Sequence, residues 1–353
     1  MPAEGACDAA SLMTLTATLS DVTGLANLLK SVAIQTHAVV IASSSGLEII
    51  TELNRTLQAH AYLYSHMFDS YRFENAQDDH DEPDSVSFEV NLQTWISCLN
   101  IFGGVGPSRP HSSSSGLPGF RPEQGTRMKL SYQGHGNPLV LELEQDANVL
   151  TRVSMSTYEP SFLTDMVFEP QNMVAQVIVA SELMQSAFTE IDASCKKLSI
   201  LITSPHSLST YDGDQRTEAP APTKRNTSAS MLKFRAISDT GSSEMEFPAS
   251  LTSSDPTGVI EKFVALPGSS EQWYDFTLLS RTMSVLRSSI KTSLRMDEAG
   301  LISFQFMMPK YRRAAAAGAP LTNAAAGQAA HEDEQDAFCE FLCCPLDTST
   351  LIV

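Results

Sequence analysis

No stretch of about 18 consecutive apolar residues occurs in the chain, so no segment is predicted to cross a bilayer as a helix. The first residues, MPAEGACDAASL, have neither the basic start nor the apolar run of a signal peptide. Basic residues are scarce, 23 Lys and Arg against 41 Asp and Glu for a net charge of −18. That balance argues against a basic DNA-reading module and against an anionic membrane surface, while leaving room for a local positive patch. The expected protein is soluble and intracellular. Cysteines are few and scattered (Cys7, Cys98, Cys195, Cys339, Cys343 and Cys344), and in a reducing compartment they are expected to be thiols. For the same reason the sequons at Asn54 and Asn226 are expected to be unused.

Also missing is the third glycine of a nucleotide fingerprint. In YQGHGNPLVLELEQD, Tyr132 to Asp146, two glycines are spaced as in G-x-G-x-x-G, but the third position is Leu139. From Leu139 onward the residues alternate instead of opening a helix. Leu139, Leu141 and Leu143 take one face, and Val140, Glu142 and Glu144 the other. Gly134, Gly136, Asn137 and Pro138 supply the conformations of a turn, so the segment reads as a loop between two strands.

At 353 residues the chain is long enough for two domains, each with its own core. Four helices are predicted. The first spans about Asp21 to Ala33 with Ser20 as N-cap and an apolar stripe of Val22, Leu25, Leu29 and Val32, from which Lys30 points away. The second is Leu92 to Phe102, the third Ser181 to Ala193, and the fourth Leu279 to Ile290 with Leu279, Met283, Leu286 and Ile290 as its stripe. Period-two alternation marks strands around Met13 to Leu19, Ser85 to Asn91, Met173 to Ala180, Leu198 to Ile202, Thr292 to Met296 and Phe304 to Met308. The order strand, helix, strands recurs four times, a repeat of architecture and not of residues. Low-complexity stretches near 75–84, 103–125, 204–228 and 309–336 read as loop insertions. Residues 1–157 form the expected first domain and 173–353 the second. Between them 158–172, with Phe162, Leu163, Met166, Val167 and Phe168 among its prolines, is the expected connector.

Three runs, CLNIFGG (Cys98 to Gly104), YQGHGNPLVLELE (Tyr132 to Glu144) and FCEFLCCP (Phe338 to Pro345), carried in this order on this architecture, resemble the Rad-one family. That family supplies one subunit of the nine-one-one checkpoint clamp, a heterotrimeric relative of PCNA, and the likeness runs from about Leu12 to Pro345. The resemblance implies an α+β fold, the DNA clamp (PCNA-like) fold: two domains of repeated strand-helix-strands, with antiparallel sheets outside and helices inside. It implies two sister clamp subunits as partners, a clamp loader, checkpoint and repair proteins, and double-stranded DNA passing through the ring without sequence specificity. It further implies a nuclear location and no cofactor, and gives no reason to expect a membrane.

A clamp needs cations on the helix faces that see phosphate. With that resemblance, Lys30, Arg281, Arg287, Lys291 and Arg295 are the candidate DNA-facing residues, with Lys196 and Lys197 after the third helix. The second helix has no charge and the third carries Glu182 and Glu190, so DNA affinity from this chain alone should be feeble. The family match also implies a groove for partner segments lined by Tyr62, Met307 and Phe338, with Phe162 and Met166 nearby.

Some members of the family have carried a 3′ to 5′ exonuclease label, which sets the alternative to a scaffold. Two-metal nuclease chemistry needs several carboxylates converging on one place. Glu142 and Glu144 share a strand face but read as the solvated side of a sheet, and the runs Asp78 to Asp84 and Glu332 to Asp336 lie in polar loops. Cys339 and Cys343 would face one side of a strand and Cys344 the other, so their thiolates do not converge on one metal. No H-E-x-x-H or G-x-S-x-G pattern occurs. A non-enzymatic clamp subunit is the leading expectation, with a PCNA-like homotrimer as a further alternative.

Overall fold

The computed structural model describes residues 14–74, 85–102, 126–145, 149–203, 230–239, 241–248, 260–266, 268–309 and 337–347. Cys7, the acidic runs at 78–84 and 332–336, and most of the low-complexity stretches lie outside the described residues. Two compact units are present. One is built from residues 14–51 and 60–162 with Ala337, the other from 52–59, 163–309 and 338–347. The chain passes from one to the other between Phe162 and Leu163, inside the stretch read as a connector.

In the first unit the order is β1 (Thr14–Leu19), α1 (Thr23–Ser31), β2 (His37–Ser43), β3 (Gly46–Leu53), β4 (Leu57–Tyr64), β5 (Ser70–Glu74), β6 (Ser85–Asn91), α2 (Leu92–Phe102), β7 (Arg127–Tyr132), β8 (Leu139–Gln145), β9 (Val149–Met155) and β10 (Thr157–Tyr158). One sheet runs β5-β1-β7-β8-β9, and β10-β6-β2-β3-β4 lie side by side in another. The second unit repeats the plan: β11 (Met173–Ala180), α3 (Ser181–Glu190), β12 (Lys197–Thr203), β13 (Ser230–Ser238), β14 (Gly241–Pro248), β15 (Ile260–Ala265), β16 (Ser269–Asp275), α4 (Phe276–Leu279), α5 (Met283–Leu286), β17 (Lys291–Asp297), β18 (Ile302–Met307) and β19 (Phe338–Cys343). Its strands are ordered β19-β18-β17-β11-β15 and β14-β13-β12-β16. Strand, helix and strands thus occur four times, starting at β1, β6, β11 and β16.

The two-glycine stretch is the β7–β8 turn. Gly134 and Gly136 adopt φ of 91° and 80°, and the Asn137 amide closes the turn on the Gly134 carbonyl at 3.1 Å. Leu139, Leu141 and Leu143 are buried, as their alternation requires. Opposite them in register stand Leu130 and Met128 on β7, and Met155 and Val153 on β9. On α2, Trp95 and Leu99 are fully buried beneath the first unit's sheets, and Asn91 caps the helix by accepting the Thr94 amide at 2.8 Å.

Three predicted helices are corrected. The first begins at Thr23, and its entry is held by Asp21, not Ser20: the Asp21 carboxylate accepts the Thr23 amide at 2.9 Å. The third stops at Glu190, and the chain extends at Ile191. The fourth starts earlier, at Phe276, because Asp275 accepts both the amide (2.8 Å) and the hydroxyl (2.6 Å) of Thr277. A 3₁₀ turn, Ser280–Thr282, then splits it into α4 and α5. The buried residues are Phe276, Leu278, Leu279, Thr282, Val285 and Leu286, whereas Ile290 is exposed beyond the helix.

Candidate nucleic-acid and partner surfaces

Each helix buries one stripe and leaves a polar one. On α1 the stripe is Thr23, Asn27 and half-buried Lys30; on α2 it is Gln93, Thr94 and Ser97, followed in the last turn by exposed Ile101 and Phe102; on α3 it is Glu182, Ser186, Thr189 and Glu190; and along α4–α5 it is Thr277, Arg281, Ser284 and Arg287. Neutral hydroxyl and amide groups therefore dominate. Lys30, Arg281 and Arg287 are the cations on these stripes, and none of them pairs with a described carboxylate. Lys30 sits in the last turn of α1, where the helix dipole favours a positive charge.

The other candidate cations are placed differently. On β17 the residues Thr292, Leu294 and Met296 are buried, with the Thr292 hydroxyl 2.8 Å from that of Ser181 at the start of α3. Strand alternation puts Lys291 and Arg295 on the opposite face, away from the helices. Lys291 is paired with Glu261 at 2.6 Å. Arg295 bonds Glu340 at 2.6 Å and the Ser303 hydroxyl at 2.8 Å, and its side chain is only 13% exposed. Both charges are thus matched by a carboxylate, on the face of β17 opposite the one that meets the start of α3. Lys196, in the loop before β12, pairs with Asp239 at 3.5 Å, and Lys197 occupies the first position of β12, on the face opposite Leu198, Ile200 and Ile202.

Of the partner-groove candidates, the second unit holds three. Met307 and Phe338 stand opposite each other on β18 and β19, both half-buried, while Met166 is buried. In the first unit Tyr62 is half-buried and stacks on His60 with centroids 6.1 Å apart, and Phe162 is 86% exposed. The strand face carrying Met307 and Phe338 continues through Gln305 and Glu340 to Ser303 and Arg295, and there it meets an aromatic that sequence reasoning did not assign. Phe168 lies over the Arg295 guanidinium, its centroid 4.4 Å from Cζ. A signal for this cluster was present in FCEFLCCP, where Glu340 is the lone charge in an otherwise apolar strand and so demands a partner.

The acidic pair weighed for metal chemistry is compromised. Glu142 stands in register between Lys129 on β7 and Arg152 on β9, with ion-pair distances of 4.0 and 3.8 Å. Glu144 stands opposite Arg127. No group of three or more His, Cys, Asp or Glu side chains fit to hold a metal occurs among the described residues. Cys339 and Cys343 are fully buried on β19 and their thiol pKa values are pushed up by burial; Cys344 is half-buried.

Comparison with known proteins decides the family. The model of the repair protein Rad1/Rec1/Rad17 family matches residues 14–308. The chain belongs to the Rad1/Rec1/Rad17 family. Relatives include the DNA repair exonuclease REC1 of Mycosarcoma maydis, 76% identical with all of both chains covered. The human cell cycle checkpoint protein RAD1 is 26% identical over 94% of this chain and 91% of its own length. The Schizosaccharomyces pombe DNA damage checkpoint control protein rad1 is 24% identical over 75% of this chain and 72% of its own. This Rad1/Rec1/Rad17 chain accordingly has the PCNA-like clamp fold, mainly antiparallel sheet with few helices, and belongs among DNA damage checkpoint and repair proteins.

Proposed function

We propose that this Rad1/Rec1/Rad17 protein is a non-enzymatic subunit of a heterotrimeric ring, loaded onto DNA at damage sites in the nucleus, where it scaffolds checkpoint signalling and repair factors. The observation that carries this reading is the largely polar exposed stripe on the helices of a clamp fold, broken on α2 by Ile101 and Phe102. Hydroxyls, amides and the three cations Lys30, Arg281 and Arg287 can meet the phosphate backbone, contacts that carry no sequence information. With Glu182 and Glu190 on the same kind of surface, the chain alone holds DNA weakly and depends on its two sister subunits. The half-buried Met307–Phe338 pair supports a surface for partner segments on the second unit, and a clamp loader would act on the assembled ring.

Size-exclusion chromatography with light scattering, on the chain alone and mixed with its two sisters, tests the assembly. A 1:1:1 complex from a chain that is monomeric alone is expected. A homotrimer would favour the processivity-clamp alternative, and a monomer indifferent to both sisters would remove the proposal.

A second reading, a metal-dependent 3′ to 5′ exonuclease, is favoured by the name of the Mycosarcoma maydis relative. It predicts metal-dependent release of 3′ nucleotides that disappears on substituting Glu142 and Glu144 or the run Asp78 to Asp84. The cations flanking Glu142 weigh against that pair as metal ligands. Release that survives every such substitution would identify a contaminant.

A further inference from the structure

The connector from Leu163 to Asn172 lies on the second unit in an alternating manner. Thr164, Met166 and Phe168 are half-buried or buried, and Asp165, Val167 and Glu169 between them are exposed. The segment is not a strand and has no ladder to hold it, so its position depends on discrete anchors. Thr164 is clasped at both backbone groups: its amide donates to Glu52 at 2.8 Å, and its carbonyl accepts from Gln58 at 2.6 Å. Gln58 also donates to the same Glu52 oxygen at 2.6 Å. At the far end the Asn172 carbonyl accepts the Glu298 amide at 3.0 Å. Between these ends buried Met166 is an apolar anchor, and Phe168 is held by a cation–π contact with Arg295.

The geometry points to Arg295 as a positioning residue for the connector, a flat cationic platform that Glu340 and Ser303 hold in place so that Phe168 can stack on it. One guanidinium nitrogen, Nη2, is used by Glu340 and Ser303, and the Ser303 hydroxyl in turn donates to the same Glu340 oxygen at 2.5 Å. The plane of the group is thereby fixed from its edge, and its face is left for the ring. A lysine could supply the charge but not the plane. The Arg295 Nε is buried without an acceptor among the described residues, a cost that an arginine serving only to tie three strands together would avoid by turning its fork toward the carboxylate. The consequence rests on the partner-surface reading above: Phe168 sets the register of the segment flanking the face that carries Met307 and Phe338. The geometry does not rest on it.

Amide hydrogen exchange on the full chain tests this without sister subunits, so its failure is separable from failure of the clamp reading. In Phe168→Ala the Thr164 and Asn172 amides should exchange about tenfold faster or more, while Val177 and Leu294 in the sheet keep their protection. Phe168→Trp should restore the slow exchange. Arg295→Lys should loosen the connector in the same selective way, and the paired replacement R295M/E340M, which removes the buried charge together with its partner, serves if that variant unfolds. Unchanged connector protection in Phe168→Ala would overturn the proposal. So would equal acceleration of sheet and connector in the Arg295 variants, which would leave Arg295 as an ordinary tie between strands.

Discussion

A methyl group at position 46 would sit 2.2 Å from the Leu63 carbonyl oxygen and 2.9 Å from the Tyr64 Cα, and Gly46 has φ of +144°. Both obstacles are backbone, which cannot swing aside. Gly46→Ala is therefore expected to cost about 3 kcal/mol or more, measured by urea denaturation. Gly136 is the control: its φ is +80° but nothing lies within 4 Å, so Gly136→Ala should cost only the left-handed penalty of about 1–2 kcal/mol. Titration makes a second prediction at this scale. Burial raises the thiols of Cys339 and Cys343 above their ordinary 9.0, and likewise the phenols of Tyr71 and Tyr274 above 10.0. Above those ordinary values the native state binds more protons than the unfolded chain. The stability these groups contribute is therefore full below about pH 9 and is lost as the pH rises from there toward their native values. Denaturant midpoints should fall between about pH 9 and 11, and Cys343→Val should make the fall shallower.

At the scale of the element, the split fourth helix depends on its start. Asp275 holds the Thr277 amide and hydroxyl, and α4 has four residues, too few to stand without that cap. Asp275→Ala should lower stability by about 1 kcal/mol, read from the thermal midpoint, with Asp275→Asn recovering most of it. The same element explains what could be read from the sequence. A stripe through Leu279, Met283, Leu286 and Ile290 indicates a helix, but a 3.6-residue period is blind to a cap three residues earlier and to a 3₁₀ turn. α2 was legible because Leu92, Ile96 and Leu99 recur at helical spacing directly after a strand of strict alternation. β8 was legible because its two faces differ. By contrast β2 and β3, HAVVIAS and GLEIITEL, are largely buried on both faces and give the alternation rule little to detect. The candidate site was legible only as residue types. Strand spacing puts Lys291 and Arg295 on one face of β17, but which face the helices cover is settled by tertiary packing, here marked by the Ser181–Thr292 hydrogen bond.

For the whole molecule, a net charge of −18 coexists with a proposed place around DNA, and the two are compatible only if the charge that meets phosphate is local to one surface, since many of the described cations are paired elsewhere. Lys129, Arg152, Lys196, Lys233, Lys291 and Arg295 all face carboxylates and release few counterions when a phosphate approaches. On the helix stripes, where hydroxyls and amides are the commonest exposed groups, the cations are Lys30, Arg281 and Arg287. In the assembled ring, Arg281→Gln with Arg287→Gln should lower the slope of log affinity against log salt by about 2, since each neutralised phosphate contributes about 0.9. Lys291→Gln should leave that slope unchanged, because Glu261 already holds its charge and the side chain lies on the sheet face away from the helices. Fluorescence anisotropy of a labelled duplex between about 50 and 200 mM salt gives the slope directly. If the double variant kept the full slope while Lys291→Gln reduced it, the helix stripes would not be the surface that meets phosphate.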